Sequence, residues 1–249
     1  MDFLFEYYAF RPSALRRWSP GLGVRLELNE SGDLPQIREL IVEGDYAYLD
    51  VNQFPKKRLK SFRWILQLLI NSRSKKPAFG CFGMHEWAMV YKADAIRHAQ
   101  LGLRMEAEEL ANFVESRPLV CTHFDAFRFF TPQAVPLNKH QLTRQMFADM
   151  EQPGCIHSNM DLYKWAFKGY PWIRSNLILE AFELAVEART IDMKASPYDL
   201  AANGLDPIKI ETEAGRIAYL EAQQAIYNKG VPVREKLIGA FESLLTMLT

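Results

Sequence analysis

The sequence predicts a mainly α fold with a small β element (α+β), gathered in a single compact helical domain over residues 1–249. Three observations predict it. Apolar residues recur at helical spacing through long segments, only one short segment alternates with period two, and 49% hydrophobic against 24% charged residues suffice to bury an ordinary core. In chain order, Gly23 to Asn29 alternates as a short strand and runs into the turn composition Asn29–Asp33. Pro55 then opens a helix on which Leu59, Phe62, Ile65, Leu66, Leu69 and Ile70 share one side. Asn176 to Met193 reads as a second strong helix. Ser196–Asp199 has the form of a helix start with a first-turn proline, and Gly204 closes that short helix. Gly230 and Pro232 are expected to divide Glu213 to Thr249 into two antiparallel helices. No repeat, long linker or domain boundary stands out.

Lys and Arg total 30 and Asp and Glu total 30, which excludes a uniformly basic coat. The balance is uneven along the chain. Between Asp50 and Glu86 there is no acid, while Lys56, Lys57, Arg58, Lys60, Arg63, Arg73, Lys75 and Lys76 are all positive, and Arg11, Arg16 and Arg17 add a smaller cluster. From Glu180 to Glu221, 9 acids face 4 bases. No apolar run is long enough to span a bilayer, the N-terminus lacks the basic region of a signal peptide, and 3 cysteines suit a reducing compartment. A cytoplasmic protein without a membrane partner is expected.

The middle third concentrates the chemistry. Each cysteine sits close to a histidine: Cys81 with His85, Cys121 with His123, Cys155 with His157. An acid follows each pair, as Glu86, Asp125 and Asp161. In residues 77–92, Gly80 and Gly83 permit a tight backbone before His85 and Glu86; the segment is either a site with Glu86 as acid or base, or a buried aromatic element. In residues 120–132, a strand would put Cys121, His123 and Asp125 on one face, whereas a helix would spend Asp125 on a capping box with Thr122. Arg128, among phenylalanines, calls for a partner or a ligand if it is buried. In residues 151–171 a helix is expected, with His157 and Asp161 one turn apart, a pair suited to acid–base work, to metal ligation, or to an ordinary polar face. The Cys/His spacings match no zinc-finger pattern, and the Glu-x-x-His pair of di-iron bundles is missing. No cofactor is therefore expected and no metal ligand is assigned, a metal ion being the minor alternative.

A helix opening on Lys56, Lys57, Arg58 and Lys60 puts cations at the positive end of its dipole, a small cost that an anionic partner would offset. Cations beside an aromatic-lined site are what an enzyme acting on an extruded base requires, although a solvated lysine face explains the same charges.

The strings FLFEYYAFRPSALRRWSPG, FGCFGMHEWAMVY, CTHFDAFRFFTP, EQPGCIHSNMDLYKWAFK and IDMKASPYDL resemble a bacterial family that carries the label "3-methyladenine DNA glycosylase", over nearly the whole chain. The resemblance implies action on DNA bases and assigns no catalytic residue. The chain lacks the L-P-G-V-G helix-hairpin-helix string that alkyladenine glycosylases of that superfamily carry. The leading expectation is a hydrolase of the DNA N-glycosylase kind acting on a damaged or modified base. Its catalytic candidates are Glu86, His123, Asp125, His157 and Asp161; His85, Trp87, Phe127, Arg128 and Trp165 would meet the base; Arg11, Arg16, Arg17, Lys56, Lys57 and Arg58 would hold phosphates of the nucleic-acid partner. The alternative is a metal-dependent helical enzyme, di-iron or mononuclear, acting on a small molecule with His85, Glu86, His123, His157 and Asp161 as ligands. A non-catalytic binding module is the third reading.

Overall fold

Leu40–Glu43 and Tyr46–Leu49 face each other across the two-residue turn Gly44–Asp45, with Glu43 opposite Tyr46 and Gly44 at φ +58°, the left-handed conformation such a turn requires. In this computed structural model, which describes residues 3–28, 33–96 and 98–248, that hairpin supplies β2 and β3. Arg25–Glu27 forms β1 and pairs antiparallel with β3, giving the strand order β1-β3-β2. The alternation read over Gly23–Asn29 thus survives as a three-residue strand, and of the turn expected at Asn29–Asp33 all but Asp33 lies outside the described residues. Along β3, Ala47 and Leu49 point into the core, while Tyr46 on the other face is exposed.

The rest is helical: α1 (Phe3–Glu6), α2 (Leu59–Ser74), α3 (Met84–Ala88), α4 (Ala107–Glu115), α5 (Phe124–Phe127), α6 (Phe147–Met150), α7 (Ile156–Lys168), α8 (Ser175–Ala195) and α9 (Glu213–Met247). The protein is mainly α with a small β element. α2 buries Phe62, Ile65 and Leu69 of the expected stripe, together with Leu68, while Leu59, Leu66 and Ile70 are only partly buried. Two expectations fail. Ser196 opens no helix; only a 3-10 turn forms at Ala201–Asn203, with Asp199 Oδ1 accepting from Ala201 N at 3.1 Å before Gly204 ends it at φ +73°. Gly230 and Pro232 do not split the C-terminal segment, because α9 continues through both. A proline inside a helix removes one N–H and crowds one carbonyl, a cost of about 3 kcal/mol. The buried residues Val233, Leu237, Ile238 and Phe241 that follow it offset that cost by packing.

The chain divides into two units. The first consists of residues up to Ile70, Met160–Val186 and the stretch from Gly230 onward. Its core is aromatic: Phe10 lies 4.3 Å from Phe167, Tyr163 5.1 Å from Phe182, and Phe62 5.3 Å from Phe241, all between ring centroids. The second unit consists of Asn71–Asn159 and Glu187–Lys229. Trp87 is central there, with its indole N–H donated to Ala195 O at 2.9 Å and its ring against Phe113, among Leu110, Val114, Leu119 and Phe130.

Candidate metal centre

The second unit brings together three histidines that are far apart in sequence. The His85 and His157 rings lie 4.5 Å apart at 78°, and those of His123 and His157 lie 5.2 Å apart and stacked. All three are buried.

Each ring is positioned by its own local device. Before α3 the chain turns through Phe82 at φ +49° and Gly83 at φ +75°. The first is an uncommon conformation for a bulky residue, costing about 1–2 kcal/mol. The second is open to glycine alone here, since a Cβ on Gly83 would stand 3.1 Å from that of Ala195 and 3.4 Å from Tyr219 Cε2. This turn sets Cys81 Sγ 3.3 Å from His85 Nδ1. His123 caps α5, its Nδ1 accepting from Ala126 N at 3.3 Å, so in the neutral ring the proton sits on Nε2, which faces Glu151 Oε2 at 3.8 Å. Neither sequence-based reading of that segment named His123 itself as the cap. His157 enters on the first turn of α7 through a clamp that precedes it. Gln152 Oε1 accepts from Ala78 N and Gly154 N at 2.9 and 2.8 Å, Gln152 Nε2 donates to Ala78 O at 3.0 Å, and Gln223 Nε2 donates to Gly154 O at 2.8 Å.

The partner that sequence reasoning missed is Asp192 on α8. His85 Nε2 and Asp192 Oδ1 are 2.8 Å apart, and Arg189 Nη1 donates to Asp192 Oδ2 at 2.5 Å and to Glu86 Oε1 at 2.7 Å. Burial opposes charge on His85, but the Asp192 carboxylate and Cys81 outweigh it and hold the imidazolium well above the usual histidine range. Burial likewise opposes charge on Asp192, and His85 and Arg189 overcome it, holding the carboxyl far below its usual range. His157 goes the other way. Burial first, then the charge of His85, push it well below the ordinary value, so it is neutral with a lone pair to give. Neither ring nitrogen of His157 makes a hydrogen bond among the described residues. Burial also raises the Cys121 and Cys155 thiols, which are therefore inert as thiolates in this setting.

One ligand atom each from His85, His157 and Asp192 lies within 4.8 Å of the others. Donors on a common first-row ion sit about 2.0–2.2 Å from it, so rotamer-sized adjustments would close this set on a metal. Two imidazoles and a carboxylate from three separate segments form a ligand type that leaves coordination positions open. His85 must lose its proton to ligate, so capture of an ion releases a proton.

The other residues singled out from sequence fall elsewhere. In the second unit, Glu86 is held by Arg189, Trp87 and Phe127 are core, and Arg128 Nε is exposed, 3.4 Å from Asp125 Oδ1. In the first unit, Asp161 accepts from Tyr8 Oη at 2.7 Å and pairs with Lys164 Nζ at 3.0 Å; it forms no hydrogen bond with His157. Trp165 is buried there under Lys164 and Lys168. Arg11, Arg16, Arg17, Lys56 and Lys57 are exposed, while half-buried Arg58 donates to Lys168 O and covers the Phe62 ring. No helix among the described residues is long and apolar enough to cross a membrane. No protein family, curated protein or solved structure matches the chain.

Proposed function

We propose that the protein is a metal-dependent enzyme acting on a small molecule, with a single divalent transition metal on His85, His157 and Asp192. The observation that carries this reading is the buried convergence of two imidazoles and a carboxylate from α3, α7 and α8. It departs from the expectation of a cofactor-free protein, and it replaces Asp161 with Asp192 in the ligand set. A bound ion would supply Lewis-acid activation of a substrate or of water. The chain's own residues do the rest. Asp192 neutralises part of the charge, Arg189 fixes the Asp192 carboxylate by its second oxygen, and Cys81 contacts the far nitrogen of the His85 ring. A small substrate is inferred because the three ligands are almost wholly shielded from solvent, which a bulky polymer could not reach. Elemental analysis of untagged protein tests this: about one zinc, iron or manganese per chain is expected, lost in His157→Ala and Asp192→Asn. Protein that carries no metal and takes none up on titration overturns it.

A second reading keeps the hydrolase of damaged DNA bases that the resemblance implies. It is supported by Arg11, Arg16, Arg17, Lys56 and Lys57, exposed and in no ion pair with a carboxylate among the described residues. Absence of salt-dependent binding to a DNA duplex at low ionic strength would remove it.

A further inference from the structure

Trp18 and Leu179, each 51% exposed, are large apolar side chains left in water, and both line one open cavity of the first unit, about 330 Å³ in volume. Apolar surface exposed on a concavity of this size is the mark of a ligand site, unlike apolar residues scattered singly. The cavity lies between the segment Ala14–Trp18 and the opening turns of α8.

Its walls are held in place. Ser19, itself 1% exposed, ties the segment to α8: its N–H donates to Ser175 Oγ at 2.8 Å, its carbonyl accepts from Ser175 N at 3.1 Å, and its hydroxyl donates to Pro171 O at 2.6 Å. Of the lining residues, Ile178 is buried, Phe167 packs 4.3 Å from Phe10 and Phe182 packs 5.1 Å from Tyr163, between ring centroids. Walls fixed in advance lower the ordering cost of binding.

The chemistry of the lining specifies the ligand. Arg16 and Arg17 bring two positive charges, and no acid among the described residues lines the cavity. Neither arginine is in an ion pair with a carboxylate among the described residues. Two further polar side chains are already engaged, Ser175 Oγ by Ser19 N and Asn176 Oδ1 by Leu177 N at 2.9 Å, and the remaining lining is aliphatic or aromatic. An anionic head and an apolar body match this division, whereas a nucleotide would bring many polar groups to few partners.

We propose that this cavity binds a small amphiphilic monoanion, an apolar chain with one carboxylate head, the chain lying against Leu15, Ile178 and Phe182 and the head held by Arg16 and Arg17. The site lies in the first unit and does not depend on the metal reading. Isothermal titration with decanoate, below its micelle concentration, tests it. One saturable site per chain is expected, with decylammonium, the same chain of opposite charge, bound at least tenfold more weakly. The double variant Arg16→Gln/Arg17→Gln should bind decanoate about tenfold or more weakly, and the exposure of both arginines leaves the fold intact. Leu179→Glu, which sets an acid at the exposed mouth, should repeat the loss. No saturable binding of decanoate, equal binding of decylammonium, or unchanged affinity in both variants overturns the proposal. So does adenosine monophosphate bound as tightly as decanoate, or binding to anionic phospholipid vesicles without binding to free decanoate.

Discussion

Two buried aspartates, one in each unit, are met by different partners. Asp161 in the first unit is 1% exposed and Asp192 in the second is 0% exposed. Asp161 is met by a neutral hydroxyl and by Lys164. Asp192 is met by a histidine 2% exposed at its side chain and by Arg189, with Glu86 beyond. The second arrangement contains a group, His85, that can give up its proton in exchange for a metal, and it sits against a neutral His157. The chemistry follows from the partner, not from the carboxylate or its depth.

The largest test of that contrast is removal of each charge. Asp192→Asn leaves His85 and Arg189 buried without their counter-ion and should cost about 3–5 kcal/mol, together with all metal binding. Asp161→Asn retains an oxygen for Tyr8 and should cost about 1–2 kcal/mol with metal content unchanged. Thermal unfolding and elemental analysis of both variants decide it; equal losses would erase the distinction.

Gly154→Ala comes next. A Cβ there would lie 2.8 Å from Ala78 O and 2.9 Å from Ala78 N, forcing the clamp before α7 to open. A loss of about 1–3 kcal/mol and weaker metal uptake are expected by chemical denaturation and metal titration. Retained uptake would show that the clamp does not position His157.

Protonation sharpens the comparison further. His157 stays neutral when folded, so below the unfolded histidine value of about 6.5 the unfolded chain takes up a proton that the native state refuses, and stability falls with pH. His85 behaves in the opposite sense: its contribution is full below about 6.5 and is lost as pH rises through its elevated native value. Asp192 adds stability that disappears only as pH falls below about 3.9 toward its depressed native value. In metal-free protein, the advantage of wild type over His157→Asn should shrink by up to about 1.4 kcal/mol per unit between pH 6.5 and 5.5. A difference that does not move with pH would mean His157 is not held neutral.

The smallest expected effect concerns an uncharged group. Tyr163 in the first unit is buried without a hydrogen bond among the described residues, and burial pushes it up to about 12. No ligand is argued for it, so Tyr163→Phe should be neutral or slightly stabilising, within about 0.5 kcal/mol, by thermal melt.

Much of this was legible in the sequence. The spacing from Leu59 to Ile70 marked α2, and the three Cys/His pairs marked the segments that meet. The hairpin is readable too, since Leu40 to Leu49 holds two short apolar runs around Gly44-Asp45. Asp192, by composition, is only one acid in an acidic third. Its signal was its register: on α8 it follows Ala185 and Ala188 and precedes Ala195 along one fully buried line, where a charge demands a partner. Which partner was illegible, because His85 lies 107 residues away and periodicity carries no information at that range. The continuity of α9 was hidden for a related reason: local rules end a helix at Pro232, and the packing that overrides them is tertiary.

The Gln152 clamp has a consequence for how the protein comes to life. Its side chain imitates a peptide unit, giving and taking a bond with Ala78 across a separation of 74 residues. Closing so long a loop is slow, and it brings the segments of His157 and His85 together in the same event. On the metal reading proposed above, the ligand set then forms only with this long-range pairing, and local segments of the unfolded chain hold no such set in advance.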